Sequence, residues 1–201
     1  MSHTERLKEI ISGLTDQTGL VDFYIEETAK LERRDTSFVF CDLDDTLFGR
    51  KDQMEAEPEL VKRRWYEWNT YMVNEIGMHS MIRDHYEWKP YPQDIISKLS
   101  PETTLLLTAW IHEYQQLKRR AMKIENFPMR VVWEWKDKIM ATIQHILFEL
   151  KYIPSEIIVY EDRPQYFIQY RELIEWVLGC ELTIMKVVMD GNDGYKSIEQ
   201  D

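Results

Sequence analysis

The stretch Phe38-Val39-Phe40-Cys41-Asp42-Leu43-Asp44-Asp45-Thr46-Leu47-Phe48 decides the fold. Its apolar residues lead directly into carboxylates, a pattern typical of a buried parallel strand that ends at the edge of a sheet. Ligands of open α/β sheets bind just outside such strand ends. Because residues two apart in a strand share a face, Asp42 and Asp44 are expected to converge while Leu43 packs away. Two adjacent carboxylates repel each other, so the pair predicts a cation or a shared proton between them.

Strands and helices alternate on both sides of this stretch. Helical periodicity predicts two helices, residues 3–14 and 20–33, before the first strand at residues 38–42. Further along the chain, we predict strands at residues 103–108, 129–133, 156–160 and 181–189, and helices at residues 93–99, 111–123, 137–150 and 164–178. This order predicts an α/β fold with a doubly wound, Rossmann-like parallel sheet flanked by helices.

The chain divides into a core and several additions. The core is predicted to comprise residues 38–50 and 92–189, with residues 1–37 forming N-terminal helices packed on it. Residues 51–91 are predicted to form a small helical cap insertion over the mouth of the site. Residues 190–201 are polar, which predicts a flexible tail.

Composition excludes several classes of protein. The 201 residues suit one domain with a small appendage. The formal charge of −11 disfavours broad, sequence-independent binding to nucleic acid, since that affinity comes from neutralising phosphates. Two cysteines, Cys41 and Cys180, do not make a disulfide framework. Residues 1–15 are charged throughout, which indicates no signal peptide, and no apolar run approaches the ~20 residues of a membrane span. We therefore expect a soluble, cytoplasmic protein.

Polar side chains follow four of the predicted strands at the point where each apolar run ends. Because parallel strands place their carboxyl ends at one edge of a sheet, these side chains are expected to meet there. Phosphoryl transfer needs a nucleophile, an acid/base, a hydroxyl donor, a cation and a metal ion. The strand ends offer a candidate for each role, namely Asp42, Asp44, Thr108, Lys136, Glu161 and Asp162.

This order of motifs resembles the four-motif set of the haloacid dehalogenase (HAD) superfamily of phosphohydrolases, over residues 38–189. The fourth motif, Glu161-Asp162-Arg163, departs from the commoner paired-Asp form. An acid-Asp-Arg sequence before an aromatic-rich helix is similar to the phosphatase domain of phage polynucleotide kinase-phosphatases. It is also similar to a HAD branch proposed to act in RNA repair.

The resemblance implies a role for each motif residue. Asp42 would attack phosphorus and form an aspartyl-phosphate, and Asp44 would serve as acid and then as base. Thr108 would donate a hydrogen bond to a transferring oxygen. Lys136 would supply a positive charge near the phosphate, with Lys138, two residues on, as its rival.

A Mg²⁺ ion is also implied by the resemblance. Its ligands would be the Asp42 carboxylate, the Asp44 backbone carbonyl and Asp162, all hard oxygen donors. Glu161 either binds the ion directly or supports the ligands from behind. The sequence leaves these two roles of Glu161 open.

The substrate implied is a phosphomonoester, such as a phosphorylated small molecule, a nucleotide or a nucleic-acid end. The negative charge of the chain favours small substrates over long polynucleotides. Aromatic residues within residues 65–91 either pack in the predicted cap or stack on a flat ring such as a nucleobase. Two alternatives remain open: a binding or regulatory protein on a HAD scaffold without turnover, and a sugar-phosphate mutase that shares the site.

Overall fold

The computed structural model describes residues 20–44, 46–47, 49–50, 86–87, 95–109, 112–134, 137–188 and 197–200, together with Glu5 and Glu9. The strands in these ranges are β1 (Glu32–Cys41), β2 (Gly49–Arg50), β3 (Tyr86–Glu87), β4 (Thr104–Ala109), β5 (Met129–Val132), β6 (Tyr152–Glu161), β7 (Glu181–Val188) and β8 (Ser197–Gln200). The helices are α1 (Leu20–Thr28), α2 (His112–Ala121), α3 (Asp137–His145) and α4 (Gln165–Leu178), with a π-helical turn, Ile146–Leu150, directly after α3.

A six-stranded sheet forms the centre of the fold, in the order β5-β4-β1-β6-β7-β8. The first five strands of that order run parallel, and β8 is antiparallel to β7 at one edge. The predicted α/β class and the parallel sheet flanked by helices are therefore confirmed. Since the five strands share one direction, their carboxyl ends lie along one edge of the sheet.

The last four residues of the central strand β1, residues 38–41, are enclosed on both faces because their side chains alternate between two apolar clusters. Phe38 and Phe40 pack in one cluster with buried residues of α3 and α4. Cys41 packs in the other, with Met122 and Phe127 from the segment between α2 and β5. This burial fixes the end of β1, and therefore Asp42, at the middle of the sheet edge.

Strand β1 is longer than the predicted strand, because it begins at Glu32. Glu32–Arg34 pairs with Tyr152–Pro154 of β6, although these β1 side chains are exposed. Their polar character hides the strand from an analysis of apolar runs. The helix predicted at residues 20–33 accordingly ends at Thr28.

The C-terminal segment also differs from the prediction at Ser197–Gln200, which forms β8. Its register pairs Met185 with Gln200 and Val188 with Ser197. Backbone hydrogen bonds to β7 hold this mostly polar segment in the sheet, which its composition alone does not indicate. Residues 190–196 and 201 of the predicted tail lie outside the described residues.

Most of the predicted cap at residues 51–91 and of the predicted helix at residues 3–14 lies outside the described residues. Strand β2 pairs antiparallel with β3, so the chain returns at Tyr86–Glu87 to the place that it left at Gly49–Arg50. None of the helices in the described ranges has the length and apolar character that crossing a membrane requires.

Candidate active site at the carboxyl edge of the sheet

The register of β1 with β6 places Asp42 beside Glu161. Cys41 pairs with Tyr160, and the Asp42 backbone N–H donates to the Tyr160 carbonyl at 2.9 Å. Asp42 follows Cys41 and Glu161 follows Tyr160. Both side chains are almost fully buried, at 6 % and 5 % exposure. Sheet pairing therefore brings together two carboxylates that the sequence predicted at one edge.

Lys138, in the first turn of α3, lies between these two carboxylates. Its Nζ is 2.8 Å from Asp42 Oδ1 and 2.8 Å from Glu161 Oε2. The lysine is itself buried, so this ammonium offsets part of the repulsion between the two carboxylates. Within the described ranges, Asp42 Oδ1 has no hydrogen-bond partner beyond this ammonium, which leaves the oxygen available to a further cation.

The three buried groups shift one another's pKa values. Burial, with the nearby Glu161 carboxylate, raises the pKa of Asp42 to about 7, although the Lys138 ammonium opposes the rise. Burial also raises the pKa of Glu161. Burial alone would lower the pKa of Lys138, but Asp42 and Glu161 outweigh it and hold that pKa above its ordinary value. The cluster therefore carries one ammonium for two carboxyl groups.

Asp162 completes a group of three acidic residues. Carboxylate oxygens of Asp42, Glu161 and Asp162 all lie within 4.8 Å of one another. The Asp162 backbone N–H donates to Thr46 Oγ1 at 3.1 Å, which ties the end of β6 to the loop after β1. Arg163 Nε lies 3.4 Å from Asp162 Oδ2, and its side chain is 66 % exposed. The exposed arginine therefore marks the solvent side of the site.

The Asp44 carboxylate lies outside this group and contacts α2. Lys118 Nζ forms an ion pair with Asp44 Oδ1. Gln115 Nε2 donates to Asp44 Oδ2 at 2.6 Å and to the Ala109 carbonyl at 2.9 Å. Both carboxylate oxygens of Asp44 are thus held by one helix.

Thr108, near the end of β4, is fully buried. Cys41 of β1 pairs with Leu106, so Thr108 lies two residues beyond that pair, toward the carboxyl edge. Among the described residues its Oγ1 has no hydrogen-bond partner. A buried hydroxyl without a partner is unfavourable, which makes Thr108 available to a ligand oxygen.

Several of the predicted site residues therefore meet at one edge. Asp42, Glu161 and Asp162 form the acidic group, whereas the Asp44 carboxylate lies outside it. Lys136 lies outside the described residues, and the lysine that the structure places against Asp42 is its rival, Lys138.

Sequence reasoning did not identify Lys118 and Gln115. Both belong to a helix in which polar residues outnumber apolar ones, so no polar position was distinctive. The one available signal was their spacing of three residues directly after the Thr108 strand, which places them on one helix face.

No family model, curated protein or solved structure matches this chain. The geometry of the sheet edge is therefore what constrains its chemistry. Three carboxylates suit a hard cation, while a buried ammonium and a free hydroxyl suit an anion such as phosphate. Together these groups can hold a divalent cation and a phosphoryl group side by side.

Proposed function

We propose that this protein is a Mg²⁺-dependent phosphomonoester hydrolase of HAD type that acts through an aspartyl-phosphate on Asp42. The observation that carries the proposal is the meeting of Asp42 with Glu161 and Asp162, whose carboxylate oxygens lie within 4.8 Å of one another. Lys138, 2.8 Å from Asp42, adds the cation that the chemistry requires.

The acidic group fits a Mg²⁺ ion in its chemistry. Asp42 and Asp162 would hold the ion, with Glu161 as a third ligand or as the partner that keeps Lys138 in place. Asp42 Oδ1, buried and with no partner beyond the Lys138 ammonium among the described residues, is suited to be a metal ligand. When bound, the ion would neutralise part of the phosphate charge that otherwise repels an approaching carboxylate.

The residues of the chain would then divide the reaction between them. An Asp42 oxygen attacks phosphorus while the bond to the leaving-group oxygen breaks, and Asp44 supplies the proton that the leaving group takes. In the second step, a water molecule gives a proton to Asp44 while the water oxygen attacks phosphorus. The bond between phosphorus and Asp42 breaks, which releases the Asp42 carboxylate and inorganic phosphate. Lys138 and Thr108 contact phosphoryl oxygens in both steps.

The proposed substrate is a small phosphomonoester, a nucleotide or a nucleic-acid end. The charge of −11 favours a small molecule, because a long polynucleotide would be repelled. A helical cap at residues 51–91, helices wound on both faces of the sheet, and a cytoplasmic location belong to the same proposal. Arg163, exposed at the solvent side of the acidic group, is placed to meet the part of the substrate beyond its phosphate.

A substrate screen tests the proposal. Phosphorylated metabolites, mononucleotides and oligonucleotides with a 3′- or 5′-phosphate are incubated with Mg²⁺ or with a chelator, and released phosphate is measured. We expect Mg²⁺-dependent release from at least one small phosphomonoester, and none from the Asp42→Asn variant. Release confined to oligonucleotides would contradict the charge argument, and equal release by Asp42→Asn would contradict the nucleophile.

A phosphate-binding or regulatory protein without turnover is the second candidate. It is favoured by the engagement of Lys138 with both Asp42 and Glu161 at 2.8 Å, since the charges of the site are partly satisfied without a substrate. Calorimetric titration with inorganic phosphate and Mg²⁺ separates the two candidates. Saturable binding without hydrolysis of any compound in the screen would favour the binding protein.

A further inference from the structure

Helix α2 holds a charged residue where helices of a soluble protein normally place apolar ones. Lys118 is 1 % exposed, and its ammonium forms an ion pair with Asp44, whose side chain is 34 % exposed. Burying an ammonium costs several kcal/mol unless its partners are well placed. An apolar side chain at this position would avoid that cost, so the buried lysine requires a reason.

Gln115 lies one turn before Lys118 on the same face of α2. It is fully buried, and its amide nitrogen donates both to Asp44 Oδ2 and to the carbonyl of Ala109. Ala109 follows Thr108 directly at the end of β4. Gln115 therefore connects Asp44 with the strand that carries the free threonine hydroxyl.

The two contacts together fix the direction of the Asp44 carboxylate. Lys118 engages Oδ1 and Gln115 engages Oδ2, so rotation of the carboxylate would break both contacts. The Asp44 carboxylate, which lies outside the group of Asp42, Glu161 and Asp162, is thereby held in one orientation. A proton-transfer group needs this kind of fixed orientation, because small displacements from the reactive geometry slow a reaction strongly.

We propose that Lys118 and Gln115 are positioning residues that orient Asp44 toward the water that hydrolyses the aspartyl-phosphate. This inference rests on the function proposed above. In the step concerned, the water O–H bond breaks, the proton passes to Asp44, the new P–O bond forms and the bond from phosphorus to Asp42 breaks. Neither Lys118 nor Gln115 contacts the reacting atoms, and both act through Asp44.

The experiment compares the two steps in Lys118→Met, using p-nitrophenyl phosphate with Mg²⁺. Because nitrophenolate leaves without help from an acid, the first step is expected to keep its rate. We expect a burst close to one equivalent of nitrophenolate per protein, followed by a steady rate reduced by about tenfold to a hundredfold. Arg120→Met, which removes an exposed cation from the same helix, is the matched control and is expected to behave as wild type.

A double-mutant cycle with Asp44→Asn distinguishes positioning from a purely structural role. If Lys118 acts through Asp44, the variant carrying both changes is no slower than Asp44→Asn alone. If the two reductions multiply, or if the burst falls in proportion to the steady rate, the positioning role is overturned. Gln115→Leu is compared with Asp44→Asn in a second cycle of the same design. This second cycle tests the proposal even if Lys118→Met fails to fold. Absence of turnover in the wild type would instead overturn the proposed function, and this inference with it.

Discussion

Lys138 Nζ lies 2.8 Å from Asp42 Oδ1 and 2.8 Å from Glu161 Oε2, so a single buried ammonium joins the ends of two neighbouring strands. The three groups are each less than a tenth exposed. This arrangement makes Lys138 the candidate for the cation of the proposed phosphoryl-transfer site.

The first prediction compares these two lysines. Lys138→Met should lower turnover by about a hundredfold or more, because it removes a charge beside the nucleophile in a water-poor site. Lys136→Met is the matched control, and its turnover should differ from that of wild type by less than about threefold. Both rates are measured with a saturating phosphomonoester and Mg²⁺. The reverse ranking of the two variants would assign the role to Lys136.

The second prediction concerns stability against pH in the presence of a chelator. The pKa of Asp42 is raised to about 7 in the folded protein, so the folded state holds a proton that the unfolded state has already lost. The stability contributed by protonated Asp42 is therefore lost as the pH rises through about 7. Glu161, whose pKa is also raised, acts in the same direction, while Lys138 stays protonated across this range.

We expect the free energy of unfolding to fall by about 2–3 kcal/mol between pH 5 and pH 8, as measured by urea denaturation. Asp42→Asn should flatten most of this dependence, since the variant has no carboxyl group to ionise at that position. A stability that rises over this interval, or an unchanged slope in Asp42→Asn, would contradict the burial of an ionisable Asp42 beside Glu161.

The third prediction concerns Mg²⁺ as a ligand of the folded state. An ion that binds only the folded protein should raise its stability by about 2.7 kcal/mol at a hundredfold excess over the dissociation constant. Asp162→Asn should remove most of the Mg²⁺-dependent shift in melting temperature. Glu125→Gln, an exposed acidic position, is the control and should keep the full shift. An equal shift in both variants would place the ion elsewhere.

Thr108 gives the fourth prediction, in which stability and activity separate. Its hydroxyl is buried and has no partner among the described residues, so Thr108→Val removes an unfavourable group without creating a cavity. The variant should be as stable as wild type or more stable by about 1 kcal/mol. Its turnover should fall by about tenfold, as loss of one phosphate contact implies.

Thr108→Ser, which keeps the hydroxyl, is the matched control for this pair of measurements. It should retain more activity than Thr108→Val even if it is less stable, since only the hydroxyl contacts the substrate. A loss of stability in Thr108→Val together with normal turnover would show that the hydroxyl serves the fold.

The fifth prediction concerns two left-handed helix ends. Gly179 ends α4 at φ +60°, and a Cβ there would also meet the guanidinium of Arg33. Lys151 follows the π-helical turn at φ 60° with a side chain present. Gly179→Ala should therefore destabilise the protein by about 1–2 kcal/mol or more, whereas Lys151→Gly should be neutral or stabilising by up to about 1 kcal/mol. Thermal unfolding should show a lower melting temperature for Gly179→Ala and an unchanged or higher melting temperature for Lys151→Gly.

Much of the core could be predicted because apolar runs identify strands buried on both faces. The run before Asp42 is the buried end of β1, the run before Thr108 belongs to the buried strand β4, and both strands are present in the sheet. The N-terminal half of β1 and the edge strand β8 could not be predicted in the same way. Their side chains are polar apart from Ile198, and each segment is held in the sheet by hydrogen bonds to a neighbouring strand.

The site was predictable at the strand ends and not on the helices. Register brings Asp42 level with Glu161, which parallel pairing alone indicates. The contact of Lys138 with Asp42 depends on the direction in which the first turn of α3 faces, and each residue turns a helix by about 100°. Lys118 and Gln115 depend on how α2 packs against the loop that carries Asp44, which no periodicity in the sequence shows.

Trapping of the covalent intermediate tests the central claim most directly. Wild type, Asp44→Asn and Asp42→Asn are each mixed with Mg²⁺ and a phosphomonoester that the wild type hydrolyses. The samples are quenched in acid and examined by peptide mass spectrometry. The proposal predicts an added phosphoryl group on the peptide that contains Asp42, more abundant in Asp44→Asn and absent from Asp42→Asn. Turnover by the wild type with no phosphoryl group on Asp42 in any of these samples would contradict it.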